Sequence, residues 1–360
     1  MTRSDEAFDR LRLIRSTGIG PVTYRQLLAR FGTAAAALQA VPELARRGGG
    51  QARQLADPHA VDAEITRVEQ LGGRYLFVGH GRYPALLAEL DTAPAALIVR
   101  GDLTLLDRPA LAIVGARNAS AAACRFARGL AYELAQEGAL VVSGLARGID
   151  TAAHNGALPN TAGVIASGID IAFPPENSDL QELVASDGLL MAEQPPGTQP
   201  LARHFPYRNR IIAGMSLGTV VVEAAPKSGS LITARLANEA GREVMAVPGS
   251  PLDPRSQGCN QLIREGATLI QSAADVLEAV RPLAAGVRSP GFDYGAPPVA
   301  ADADDRERAQ VLDQLGHTAV PVDELVRQTG LHPAVVATVL LELELAGRLT
   351  RHAGSRVSLS

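Results

Sequence analysis

The feature that most constrains this chain is a series of short apolar segments between residues 110 and 250, separated by helical stretches. The segments are Leu111–Gly115, Ala139–Gly144, Gly163–Ser167, Leu189–Glu193, Gly218–Ala224 and Glu243–Gly249. Helical patterns such as Ala121–Glu137 and Leu231–Ala240 lie between them. A strand covered on one face alternates polar and apolar residues, whereas these run almost continuously apolar. Such strands are buried on both faces, and helical crossovers that return the chain to the same edge make them parallel.

This pattern predicts an α/β fold, a Rossmann-like doubly wound parallel sheet over residues 81–283. The flanks differ. Residues 1–80 carry helical spacing at Leu11, Leu13, Ile14, Leu27, Leu28 and Leu38, with Gly18-Ile19-Gly20-Pro21 between two helices. They read as a SAM/helix-hairpin-helix-like domain. The G-x-G-P turn is either a phosphate-holding hairpin or a tight turn in a small bundle. Gly48-Gly49-Gly50 reads as a mobile loop. Residues 284–303 are rich in Pro, Gly and Ala and read as a linker. Residues 304–360 predict three helices, near Asp304–Leu315, Val322–Thr329 and Pro333–Ala346, with Gly330 at a turn and a closing hairpin, the plan of a winged helix.

Composition narrows the function classes. Hydrophobic residues make up 46% and charged residues 20%, enough to bury a core and too apolar for disorder. The chain has no apolar run of about 18 residues with the character of a membrane span, and MTRSDEAFDR lacks a signal-peptide core. Cys124 and Cys259 fit neither metal nor disulfide spacing. The expectation is a cytoplasmic protein with no membrane partner. The net charge of −4 argues mildly against nucleic acid, but its distribution matters more. Residues 1–80 hold eleven arginines against eight acids, Arg203–Arg264 eight basic residues against four acids, and residues 301–360 six arginines against nine acids. The middle is basic and the tail acidic.

Ligands of open α/β sheets bind beyond the carboxyl ends of the strands, so the segments following each strand carry the chemistry. After the first come Gly115, Arg117 and the helix cap Ser120. This is neither G-x-G-x-x-G nor a phosphate-binding G-x-x-x-x-G-K-[ST] loop, so no dinucleotide or ATP is indicated. After the second come Ser143, Gly144, Arg147 and Gly148, an anion-binding corner, with Asp150 expected to cap the helix and support Arg147. His154 reads as a packed histidine. Phe205, Arg208, Asn209 and Arg210 join two arginines to rings, as single-strand binding requires, although Phe205 and Tyr207 can equally pack a helix entrance. Lys227, the only lysine in the chain, precedes Ser228, Gly229 and Ser230 at a helix start. Four basic segments on one sheet edge, three of them with glycine, point to a polyanion.

These stretches, AIVGARNAS, VVSGLARGIDTAAHNGAL, FPYRNRIIAGMS, VVVEAAPKSGSLITARLANEAGREVMAVPGS and GCNQLIREGATLI, resemble the DNA-processing protein A (DprA/Smf) family in that order. The resemblance covers residues 95–280 densely and the two flanks weakly. It implies a homodimer formed through the Rossmann domain that binds single-stranded DNA and loads RecA onto it during natural transformation. It also implies that DNA lies over Arg117, Arg147, Arg208, Arg210 and Lys227. No catalytic residue, cofactor or metal is expected.

Two rivals remain. A nucleotide-processing phosphoribohydrolase uses P-G-G-x-G-T-x-x-E; here Met215-Ser216-Leu217-Gly218-Thr219 lacks the paired glycines and Glu223 lies one residue too far. If residue 223 continues the strand, its carboxylate points to the opposite face. The second rival puts DNA on the winged helix. Its candidate recognition helix, PAVVATVLLELELAG, has no Lys or Arg and carries Glu342 and Glu344. That domain is therefore expected to contact protein, in this chain or in a partner.

Overall fold

The computed structural model describes residues 5–50, 54–286, 302–352 and 354–360. Helices α1 (Asp5–Arg15), α2 (Pro21–Phe31), α3 (Ala34–Arg47) and α4 (Pro58–Gln70) open the chain. A first stretch of sheet follows, with β1 (Arg74–Phe77), a short α5 (Ala85–Ala88) and β2 (Ala96–Gly101). Then the alternation sets in: β3 (Ala110–Gly115), α6 (Ala121–Gln136), β4 (Leu140–Ser143), α7 (Ile149–Ala157), β5 (Thr161–Gly168), α8 (Ser178–Asp187) and β6 (Leu189–Gln194). It continues through α9 (His204–Met215), β7 (Gly218–Val222), α10 (Gly229–Glu239), β8 (Glu243–Ala246), α11 (Gln257–Arg264), β9 (Thr268–Leu269) and α12 (Ala273–Gly286). The last elements are α13 (Asp305–Asp313), β10 (Val320–Pro321), α14 (Val322–Thr329), α15 (Pro333–Leu345), β11 (Leu349–His352) and β12 (Arg356–Leu359).

The described chain divides into two compact units, Glu64–Pro290 and the combination of Met1–Ala63 with Gly291–Ser360. The larger unit holds one nine-stranded sheet in the order β1-β2-β6-β5-β4-β3-β7-β8-β9. From β6 to β9 all neighbours pair in parallel, whereas β2 pairs antiparallel with both β6 and β1. The parallel, doubly wound expectation therefore describes the centre, and an antiparallel pair that the apolar pattern did not reveal closes one edge. Strand β3 shows why its sequence is continuously apolar. Leu111 and Ile113 point into one core with α6, α7 and α12, while Ala110, Ala112 and Val114 point into the other with α9, α10 and α11. Each such fully buried aliphatic side chain contributes about 1.5–3 kcal/mol.

The smaller unit joins both ends of the chain. Helix α15 is predominantly apolar and largely buried, its buried residues including Val335, Val336, Val339, Leu340, Leu341, Leu343 and Leu345. It packs against α3, and charge complementarity follows the sequence: Arg30 bonds Thr338 Oγ1 at 2.9 Å, and Arg30 and Arg47 pair with Asp302 at 3.1 and 3.0 Å. Gly48-Gly49-Gly50 is not a free loop. A Cβ on Gly48 would lie 2.1 Å from the Glu342 carbonyl oxygen, so these glycines let the chain seat against α15. The expected protein contact of the winged helix is thus made within this chain. The expected linker at 284–303 lies mainly on residues 287–301, outside the described residues. Among the described residues, no helix is long and apolar enough to cross a membrane.

Candidate nucleic-acid interface

Strand order reverses between β3 and β7, because β4, β5 and β6 extend the sheet on one side and β7, β8 and β9 on the other. The segments leaving these two strands diverge there and open a crevice. A cavity of about 800 Å³ occupies it, lined by Arg117 and Asn118 after β3, Phe205, Arg208 and Asn209 of α9, and Lys227 through Ser230 at the start of α10. A smaller cavity of about 380 Å³ adjoins it, formed by Arg117, Gly144, Arg147, Phe173, Phe205 and Arg208. The larger cavity is lined by the cations Arg117, Arg208, Lys227 and Arg255 against one carboxylate, Asp150.

Arg208 is the central group. It is only 7% exposed, yet it lines both cavities, and its Nε has no hydrogen-bond partner. Burial first, with the nearby positive charge of Arg117 adding, pulls its pKa down to about 10 while Asp150 opposes the change. It therefore stays cationic at neutral pH, and a desolvated cation of this kind favours an anionic ligand. Gly144 lets this happen: a Cβ there would sit 1.4 Å from Arg208 Nη1. Asp150 holds the same segment, its Oδ2 accepting from Gly144 N at 3.1 Å and Ala146 N at 3.3 Å, and burial raises its pKa against the pull of Arg208. Both halves of the expectation for Asp150 are corrected. Helix α7 is capped by Gly148 with no side-chain cap bond, so Asp150 ties down the preceding turn rather than capping the helix, and Arg147 pairs with Glu176 instead.

The remaining residues sort by direction. The Arg117 guanidinium lies 5.2 Å from the centroid of the Phe205 ring, and Phe205 tilts at 59° to Phe173, 5.8 Å away. Lys227 is exposed at a positive φ of 67°, just before the α10 cap Ser228, whose Oγ accepts from Ser230 N. Asn209 Nδ2 donates to Gly229 O at 3.4 Å and ties α9 to α10. Gly115 ends β3 at the cavity floor. Gly148, at φ 73°, starts α7 behind it. Gly148 lines neither cavity, and two further candidates lie elsewhere. Ser143 is buried and donates to Ile113 O at 2.6 Å, bracing β4 against β3. Arg210 lines neither cavity; it pairs with Glu193 at 2.5 Å and donates to Thr92 O. Phe173 and Arg255 were missed, since each sits in a segment with no anion-binding pattern of its own; Asn118 was passed over beside Arg117, in a segment that carries one.

Glu223 also departs from expectation. Strand β7 ends at Val222, and Glu223 follows at φ 50°, so strand alternation does not place its side chain. Its carboxylate accepts from Ser120 N at 2.8 Å and Ser120 Oγ at 2.6 Å, capping α6. His154 is fully buried, its Nδ1 2.8 Å from Thr161 Oγ1, which in turn donates to Val141 O. Burial, then the charge of Arg208, pushes its pKa from 6.5 down to about 3. The unfolded ring takes up a proton near pH 6.5 and the folded ring does not, so stability falls as pH drops toward 3, by up to about 1.4 kcal/mol per pH unit. Urea midpoints between neutral pH and pH ~5 should therefore drop more steeply for the natural chain than for His154→Gln. Equal slopes would mean that the buried ring is not held neutral.

Comparison with known proteins agrees with this architecture. Residues 74–281 match the family model "DNA recombination-mediator protein A", residues 4–66 the "DprA-like N-terminal HHH domain" and residues 295–355 the "DprA winged helix domain". The chain is 48% identical over 198 residues to DNA processing protein DprA of Streptococcus pneumoniae, covering 54% of this chain and 70% of that one. It is 36% identical over 312 residues to protein Smf of Escherichia coli, covering 83% and 81%. Among solved structures, DprA from Streptococcus pneumoniae superposes with a TM-score of 0.63 at 34% identity, covering 77% of this chain and 98% of that one. A structure addressing the single-stranded DNA binding mode of DNA processing protein A from Helicobacter pylori superposes at 0.53 with 30% identity, covering 59% and 97%. Matched from its helical front through its sheet to its winged helix, the chain belongs to the DNA recombination-mediator protein A (DprA/Smf) family.

Proposed function

We propose that this chain is a single-stranded-DNA-binding recombination mediator. In that reading it protects incoming DNA and loads RecA onto it in natural transformation, acts in the cytoplasm as a homodimer joined through the sheet domain, and catalyses no reaction. The observation that carries the DNA-binding part is Arg208, a buried guanidinium with an unsatisfied Nε that lines the cavity between β3 and β7. A phosphate there relieves the desolvated cation, with Arg117 and Lys227 at the rim and rings within reach of bases. Support for RecA loading and for the dimer comes from family membership alone. The capping bond of Glu223 to Ser120 counts against hydrolase chemistry at that carboxylate.

The test is fluorescence anisotropy of labelled oligo-dT and of a duplex across a salt series. Single strands are expected to bind more tightly than duplex. Arg117→Ala and Lys227→Ala should each flatten the plot of log affinity against log salt by about 0.7, one phosphate's worth. Arg210→Ala should leave that slope unchanged, because its guanidinium is engaged by Glu193. Equal affinity for both DNAs, or slopes unmoved in both cavity variants, would overturn the proposal. Nucleotide hydrolysis lost in Glu223→Ala would overturn its non-enzymatic part.

A further inference from the structure

Helix α6 is amphipathic in an uncommon way. Its inner face buries Ala123, Ala127, Leu130, Ala131, Leu134 and Ala135 against the sheet. Its outer face presents Arg125, Arg128, Gly129 and Tyr132, all exposed, the phenol ring being 56% exposed. Spacings of three and four residues stack these side chains on one stripe. Neither arginine has an ion-pair partner among the described residues; the flanking stripe positions Ala121 and Gln136 carry no acid, and the exposed Glu133, one turn beyond Gly129, borders the stripe on the side away from Arg128.

Gly129 adds an independent clue. Glycine inside an exposed helix costs about 1 kcal/mol relative to alanine, and here packing does not demand it. A Cβ at that position would meet nothing within 4 Å. The bare backbone between two cations and a ring permits something else to approach closely. The stripe also starts at the right place: α6 begins at its cap Ser120, two residues beyond Asn118 of the cavity lining.

We propose that single-stranded DNA leaving the cavity continues along the outer face of α6, with phosphates at Arg125 and Arg128, the backbone passing over Gly129 and a base stacked on Tyr132. This rests on the function proposed above. Two unpaired cations beside an exposed ring suit a single strand, because phosphates and bases alternate along it. A second copy of this chain is disfavoured as occupant, since a two-fold contact centred there sets like charges together. The stripe from Ala121 to Tyr132 is about 16 Å long, room for up to about five stacked nucleotides.

The experiment compares oligo-dT of about six nucleotides, enough for the cavity, with oligo-dT of about twenty, using the full chain. Arg125→Ala with Arg128→Ala should weaken the long oligonucleotide about tenfold or more and flatten its salt slope by about 1.4, leaving the short one and the Tm unchanged. Tyr132→Ala should weaken only the long one, by about fivefold or more, with its salt slope intact. Gly129→Ala should raise the Tm yet weaken the long oligonucleotide, a combination that a merely structural role does not produce. Unchanged long-oligonucleotide binding in the arginine pair and in Tyr132→Ala would overturn the proposal. So would a loss of self-association in those variants with DNA binding intact, which would assign the face to a second copy. Failure of the unaltered chain to bind either length would instead remove the underlying function.

Discussion

Gly144→Ala is expected to weaken single-strand binding by about tenfold or more while the fold persists. Its Cβ would stand 1.4 Å from Arg208 Nη1 and 2.4 Å from Cζ, so one side must move. Residue 144 is anchored, its N–H donating to Asp150 at 3.1 Å directly after β4, whereas the Arg208 Nε is bonded to nothing. The guanidinium therefore yields and leaves the cavity floor. Losing one charge-assisted phosphate contact costs about 1.5–3 kcal/mol. Arg208→Met removes the same cation without a void and should cost as much. The double variant should bind no worse than Arg208→Met alone, because both substitutions act through one group. Anisotropy titration of the three variants checks this, and additive losses would contradict it. Arg208→Met also removes the charge that restrains Asp150, whose buried carboxyl then takes up its proton at still higher pH.

Arg308→Ala is expected to destabilise the smaller unit by about 3–5 kcal/mol. Glu342 is 1% exposed on α15, and Arg308 grips it with Nε at 2.8 Å and Nη2 at 3.0 Å. The paired carboxylate raises the arginine's pKa, with burial opposing. Removing the arginine strands a charge where water does not reach, which costs far more than losing an exposed pair. Arg308→Leu with Glu342→Leu should recover most of the loss, because neither charge then remains buried. Hydrogen exchange should show the effect in α3 and α13 to α15 and leave β3 to β9 protected. Unchanged exchange in α15 would mean the pair contributes little.

The sheet was legible where strand and crossover helix alternate, from β3 to β8, since that alternation is itself the sequence signal. Strand β2 is as apolar as its neighbours, Ala96 to Val99 being buried, but it follows β1 without a crossover helix and runs antiparallel, so a search for alternating elements passes over it. Strand β9 has two residues, too short for any periodicity. At the site, proximity in sequence misled. Arg208 and Arg210 read as a pair, yet residues two apart on a helix diverge by about 200°. One faces the cavity and the other faces Glu193. Phe173 reaches the site from beyond β5, a meeting that only the folded strand order creates. Glu223 was misplaced because its strand ends at Val222, two residues before the expected Ala224, with Glu223 itself at a positive φ. The glycines at 144 and 148 were readable as a corner, but what Gly144 makes room for, the side chain of Arg208, is a long-range fact.

The most direct test of the central claim is a structure of this full chain with oligo-dT. The account predicts a DNA phosphate at about 2.7–2.9 Å from the Arg208 guanidinium, in the cavity between β3 and β7, with Arg117 and Lys227 on neighbouring phosphates. DNA seated on the winged helix instead, with that cavity free of phosphate, would contradict it.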